Sequence, residues 1–185
     1  MKMIATPDSE IIEMPHKSVK MPDDFHERCS FYHEVPKGFY ENAEFRKDII
    51  NYVSSDKKRQ HEIWIKCKRD ILYWINTFCF IYEPRKSSVL PFITYPFQDK
   101  ALLEIDNSIG DHDLVIEKSR DMGASWMCVS VYKWHWIFHN YHTCLMLSQK
   151  QDLVDKTGDP KTLFWKFDFL HKAHPKWLVN PALIK

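Results

Sequence analysis

The stretch that most limits what this chain can become runs from Asp113 to Met127, DLVIEKSRDMGASWM. Asp113 to Glu117 is a short apolar run that reads as a strand, a polar loop follows, and from Gly123 the chain reads as helix to about Asn140. A strand that feeds a loop and then a helix start is an anion site in outline. The first N–H groups of the helix have no partner of their own, and the aligned peptide dipoles favour negative charge there. The standard phosphate loop reads G-x-x-x-x-G-K-[ST]. If Gly123 is its second glycine and Ser125 its hydroxyl residue, Ala124 stands where the lysine belongs and Lys118 where the first glycine belongs. Lys118 is long enough to reach across the loop toward the phosphates, and Arg120 adds a forked donor. Gly123 lets the backbone close in, and Ser125 offers a hydroxyl to Mg²⁺.

The order of the neighbouring segments extends this reading to the fold. Thr143–Leu147 is a second apolar run, so the order is strand, helix, strand. At this spacing that order predicts a parallel pair with a right-handed crossover, the smallest unit of an α/β fold. Upstream, Ile63, Cys67, Ile71, Trp74 and Phe78 recur at three- and four-residue steps, which predicts helix over most of 44–80, with the short helix FRKDIINYVSS ahead of it. A proline-bearing loop then leads to a helix starting near Gln98, and a last helix opens near Pro160 and closes before Pro175. The first forty-three residues, with four prolines and frequent charges, show no sustained period and read as an extended arm. The chain thus divides into an arm (1–43), a helical segment (44–82) and a phosphate-loop domain (83–185).

Charge restricts the partners. Lys and Arg number 26 against 25 acidic residues, so the chain as a whole is no polycation, and contact with nucleic acid would have to use a local patch. The densest candidate is Lys57, Lys58 and Arg59 with Lys66, Lys68 and Arg69, read first as a solvated helix face. The five cysteines form no C-x-x-C pair, which fits an intracellular, reducing setting. The most apolar run, Ile71 to Tyr82, is shorter than a membrane span, so a soluble protein is expected. His135, His139 and His142 stand at i, i+4 and i+7, a spacing that can ligate a metal. With no cysteine or carboxylate completing the set in sequence, they read as a solvent-facing stripe. Arg85 can reach a phosphate or pair with an acidic neighbour, and Asp159 reads as a cap before Pro160.

KSRDMGASW, preceded by an apolar strand and followed by a Trp-rich helix, resembles the phosphate-binding motif of the large terminase subunit of tailed bacteriophages, the ATPase that drives DNA into a preformed capsid. That family carries its loop lysine at the start of the motif, as Lys118 stands here, and an S-R pair within the loop, here Ser119 and Arg120. FCFIYEPR followed by LPFITYPFQ resembles the segment ahead of the loop, whose glutamine, here Gln98, helps to recognise adenine. LSQKQDLVDKTGDPKTLFWKFDFL resembles the downstream strand and helices. The likeness covers roughly Phe78 to Leu178. It implies a RecA-like P-loop NTPase fold with a partial parallel sheet and flanking helices, behind a helical N-terminal segment. The implied ligands are ATP and Mg²⁺, held by Gln98 and by Lys118, Ser119, Arg120, Asp121, Met122, Gly123, Ala124 and Ser125, with Ser125 on the Mg²⁺.

The resemblance also implies partners: double-stranded viral DNA, the portal protein, the small terminase subunit and further copies in a ring, all in the host cytoplasm and transiently at the procapsid portal. The chain departs from the family in one respect that bears on catalysis. No apolar strand ending in Asp-Glu follows the loop, and the acidic cluster of the nuclease domain is not found, so no catalytic residue is assigned. The expectation is the front portion of a terminase, truncated or split. A non-catalytic nucleotide-binding or assembly protein is the alternative. A small P-loop kinase is disfavoured, since no arginine-rich lid is recognised.

Overall fold

The computed structural model describes residue 21 and residues 23–180. The first twenty residues of the expected arm lie outside the described residues. The rest of that stretch is helical in part: α1 is Phe25–Arg28, a 3₁₀ turn spans Tyr32–Glu34, and α2 starts within it at Phe39 and runs to Val53. Cys29 and Val35 are buried in the common core.

The periodic stretch forms helices, but not one helix. Asp56 accepts the backbone N–H groups of Lys58 at 2.8 Å and Arg59 at 3.3 Å, which starts α3 (Lys57–Arg69). Asp70 then caps α4 (Ile71–Phe78) by accepting from Tyr73 N at 2.8 Å. Its second oxygen takes the N–H groups of Phe31 at 3.0 Å and Tyr32 at 2.7 Å, pinning the N-terminal region to this corner. Burial dominates the Asp70 carboxyl and raises its pKa to about 6 despite these donors. Every residue of α4 is buried, and Ile63, Cys67, Ile71, Trp74 and Phe78 all lie in the core as their spacing predicts.

The expected α/β architecture is overturned. Among the described residues the only sheet is a two-stranded antiparallel hairpin, β1 (Phe80–Glu83) with β2 (Ser88–Pro91), in register Phe80 to Pro91 and Glu83 to Ser88. Pro84 and a left-handed Ser87 turn the chain between them. Neither 113–117 nor 143–147 is a strand, so the parallel pair and the RecA-like sheet are absent from the described residues. The physical reason lies in partners: a short apolar run becomes a strand only beside another whose backbone groups it satisfies. Here both runs lie on the surface, with Val115 91% and Leu145 78% exposed.

The body is a helical stack. After the hairpin come α5 (Pro96–Ser108), α6 (Ala124–Phe138), α7 (Gln151–Val154), α8 (Leu163–Ala173) and α9 (Lys176–Val179). The apolar helix α6 packs between α5 and α8 and touches α4 beneath. Thr162 caps α8 by accepting from Trp165 N at 3.3 Å, while Asp159 takes the N–H of Lys161 at 3.0 Å in the turn ahead of it. Among the described residues no helix is long and apolar enough to cross a membrane.

Candidate phosphate loop at the start of α6

Two helices fix this site. α5 begins at Pro96, whose ring already holds φ near the helical value, and its first turn carries Gln98 and Asp99. Asp99 is buried and anchors that turn. Its carboxylate accepts from the Tyr32 hydroxyl and the Thr94 hydroxyl, and lies 3.4 Å from Lys37 Nζ. Lys37 also donates to Asn76 Oδ1 and the Thr94 carbonyl, each at 3.0 Å. Burial lowers the Lys37 pKa to about 8, against the pull of Asp99, and the same loss of water raises that of Asp99. This pair, buried at its Asp99 end and joined across 62 residues, was not legible in the sequence; its only trace there is an acid in the first turn of α5.

Gln98 points from this anchored turn into the loop. Its Oε1 accepts from Tyr95 N at 3.1 Å, and its Nε2 donates to the Met122 carbonyl at 3.2 Å. Gly123 follows with φ +80°, a left-handed value that costs a side-chain-bearing residue about 1–2 kcal/mol. A Cβ there would stand 3.0 Å from Gln98 Nε2. Left-handed Asp121, in the same loop, pairs with Arg85 from the hairpin turn. That pair is largely exposed and contributes little to stability. Its effect is local, since it offsets the one negative side chain of the loop.

Beyond Gly123 the geometry is that of a bare helix start. The first intrahelical bond runs from Met127 N to Gly123 O at 3.0 Å, so the N–H groups of Ala124, Ser125 and Trp126 precede it. Ser125 lies exposed on this first turn, and Lys118, Ser119 and Arg120 are exposed on the preceding lip; Met122, Gly123 and Ala124 are half-buried. The structure therefore brings Gln98, Met122 and Gly123 together and leaves the basic residues of the lip in solvent. Beside Gln98, the exposed Tyr95 ring stacks on Phe97 with centroids 5.8 Å apart.

The other sequence candidates fall elsewhere. Lys66 pairs with Glu34 at 2.8 Å, Lys68 lies over the Trp64 ring and Arg59 over Tyr52, so the basic face of α3 is tied to its own surroundings. His135, His139 and His142 gather at the far end of α6, where His135 is buried and His139 half-buried. A solvent-facing stripe is therefore not what the fold makes of them. Comparison with protein-family models, with curated proteins and with solved structures finds no match to this chain.

Proposed function

We propose that this chain is the nucleotide-binding front portion of a phage terminase large subunit, taking ATP with Mg²⁺ at the loop between Lys118 and Ser125. The observation that carries the reading is the hydrogen bond from Gln98 Nε2 to the Met122 carbonyl, with Gly123 closing against the same amide. Two blocks of the terminase resemblance, 24 residues apart in sequence, meet at one place.

In this proposal the triphosphate sits at the start of α6, against the N–H groups of Ala124, Ser125 and Trp126 and the positive end of the helix. Ser125 Oγ ligates Mg²⁺. Lys118 and Arg120 close on the phosphates from the lip and supply the charge that Ala124 lacks. Gln98 retains one amide hydrogen and one carbonyl lone pair, a donor and an acceptor for the N6 and N7 edge of adenine, and Tyr95 offers an aromatic face for the base. In the complete assembly the nucleotide would drive double-stranded viral DNA through the portal, with the small subunit and further copies of this chain as partners. Residues for water activation are not assigned, so binding is proposed here, and turnover is not.

Equilibrium dialysis of ATP with and without Mg²⁺ tests the reading. One saturable site that tightens with Mg²⁺, and loses most of that tightening in Ser125→Ala, is expected. Absence of saturable ATP binding by the wild-type chain would end the proposal.

A further inference from the structure

The far end of α6 holds a second group of polar side chains that the nucleotide reading does not use. His135 lies in the last turn of α6, His139 is its C-cap residue, and His142 follows just beyond. Their ring centroids are 4.9 Å apart for His135 and His139, 4.6 Å for His135 and His142, and 5.7 Å for His139 and His142. One ring nitrogen from each lies within 4.8 Å of the others.

Hydrogen bonding sets which nitrogens are free. His135 Nε2 lies 2.7 Å from Asp106 Oδ1 on α5, and the other oxygen of Asp106 is held by Arg28. A carboxylate in that position accepts a hydrogen bond from Nε2–H, and with the ring proton held there the lone pair of the neutral imidazole is on His135 Nδ1. That Nδ1 is buried and has no hydrogen-bond partner in the protein, and the same holds for His139 Nε2. Buried polar nitrogens are ordinarily paired, so two together beside a third imidazole mark a place built for something else. A cation is the group that suits lone pairs, and it lies at the negative end of the α6 dipole.

We propose that His135, His139 and His142 bind a divalent transition-metal ion of the zinc type. Three imidazoles with one carboxylate-oriented ring suit Zn²⁺, for which Zn–N distances of about 2.0–2.1 Å are usual. The spread of the nitrogens is somewhat wider than a bound ion requires, and His142, which is exposed, is the ligand that swings inward to close the set. His135 and His142 also line a cleft with Tyr132, Cys144 and Leu145. Asp106 acts as a positioning residue, and Trp134, whose ring lies 4.6 Å from that of His139, walls the site from the core.

Zinc titration of the untagged full chain against a chromogenic chelator, with Co²⁺ as a spectroscopic probe, tests this. One tight equivalent of Zn²⁺ is expected, and Co²⁺ should give the intense visible absorption of a four-coordinate ion. Asp106→Asn should weaken Zn²⁺ about 10–100-fold, and His142→Ala at least as much. His142 is a surface residue, so its removal leaves folding intact, and a circular dichroism spectrum like that of the wild type will establish this. Zinc binding of equal strength in wild type and His142→Ala, or a pale six-coordinate Co²⁺ spectrum, would overturn the assignment.

Discussion

Replacing Gly123 by alanine probes the contact that joins α5 to the loop. The new Cβ must adopt φ near +80°, which costs about 1–2 kcal/mol, offset by about 0.4–1 kcal/mol because alanine has fewer unfolded conformations to lose. The same two terms act alone at Gly110, where φ is +81° and a Cβ meets nothing within 4 Å. Gly110→Ala is therefore expected to cost about 1 kcal/mol. At Gly123 the added carbon also stands 3.0 Å from Gln98 Nε2, closer than such contacts normally come. The amide must give way, and it is held at both ends, by Tyr95 N and the Met122 carbonyl. Weakening one such bond adds about 1 kcal/mol, so Gly123→Ala should cost about 2 kcal/mol.

Urea unfolding of the two single variants, of Gln98→Ala and of Gly123→Ala/Gln98→Ala measures each term. Removing the amide relieves the contact, so the double variant should be less destabilised than the sum by about 1 kcal/mol. Equal costs at Gly123 and Gly110, or strict additivity with Gln98→Ala, would refute the claim that Gln98 and the loop are packed as one unit.

Two other outcomes follow from the same structure. His174 is buried against the Trp74 ring, with centroids 5.2 Å apart, and burial lowers its pKa to about 4 from an unfolded value of about 6.5. The unfolded chain thus binds a proton that the folded chain refuses between those values, so stability is whole above pH 6.5 and falls by about 3 kcal/mol by pH 4. The raised carboxyls of Asp70 and Asp99 act oppositely in the acid range, so the difference between wild type and His174→Gln isolates the effect; a pH-independent difference would contradict it. In nucleotide competition the wild type should prefer ATP to GTP, and Gln98→Ala should lose most of that preference. An unchanged ratio would confine Gln98 to its structural bonds.

The parts of the molecule that were legible in the sequence are those fixed by near neighbours. The stripe from Ile63 to Phe78 repeats with the period of a helix, and burying it needs only that period. Its interruption at Asp70 was not legible, because a single carboxylate caps a helix only where the chain turns to present free N–H groups, and the apolar steps continue straight through it. The same locality explains the errors. Asp113–Glu117 and Thr143–Leu147 read as strands from their apolar runs, yet a strand is defined by its neighbours, and among the described residues none pairs with them. Phe80, at the end of the helical pattern, and Ile81–Glu83, read with the proline-bearing loop, became a strand because Ser88–Pro91 returns alongside them. At the site, the left-handed turn at Gly123 and the helix after it follow from the local sequence. The burial of Asp99 against Lys37, and of His135 against Asp106, depends on contacts between distant segments that no spacing records.

The central claim is that the relocated lysine does the work of the missing one at Ala124. Titration of MgATP into the wild-type chain and into Lys118→Ala tests it most directly. A charge-assisted contact to phosphate is worth about 1.5–3 kcal/mol, so Lys118→Ala should weaken binding by at least about tenfold, with its far-ultraviolet spectrum unchanged because the side chain is exposed. Equal affinity in the two proteins would contradict the phosphate-loop account.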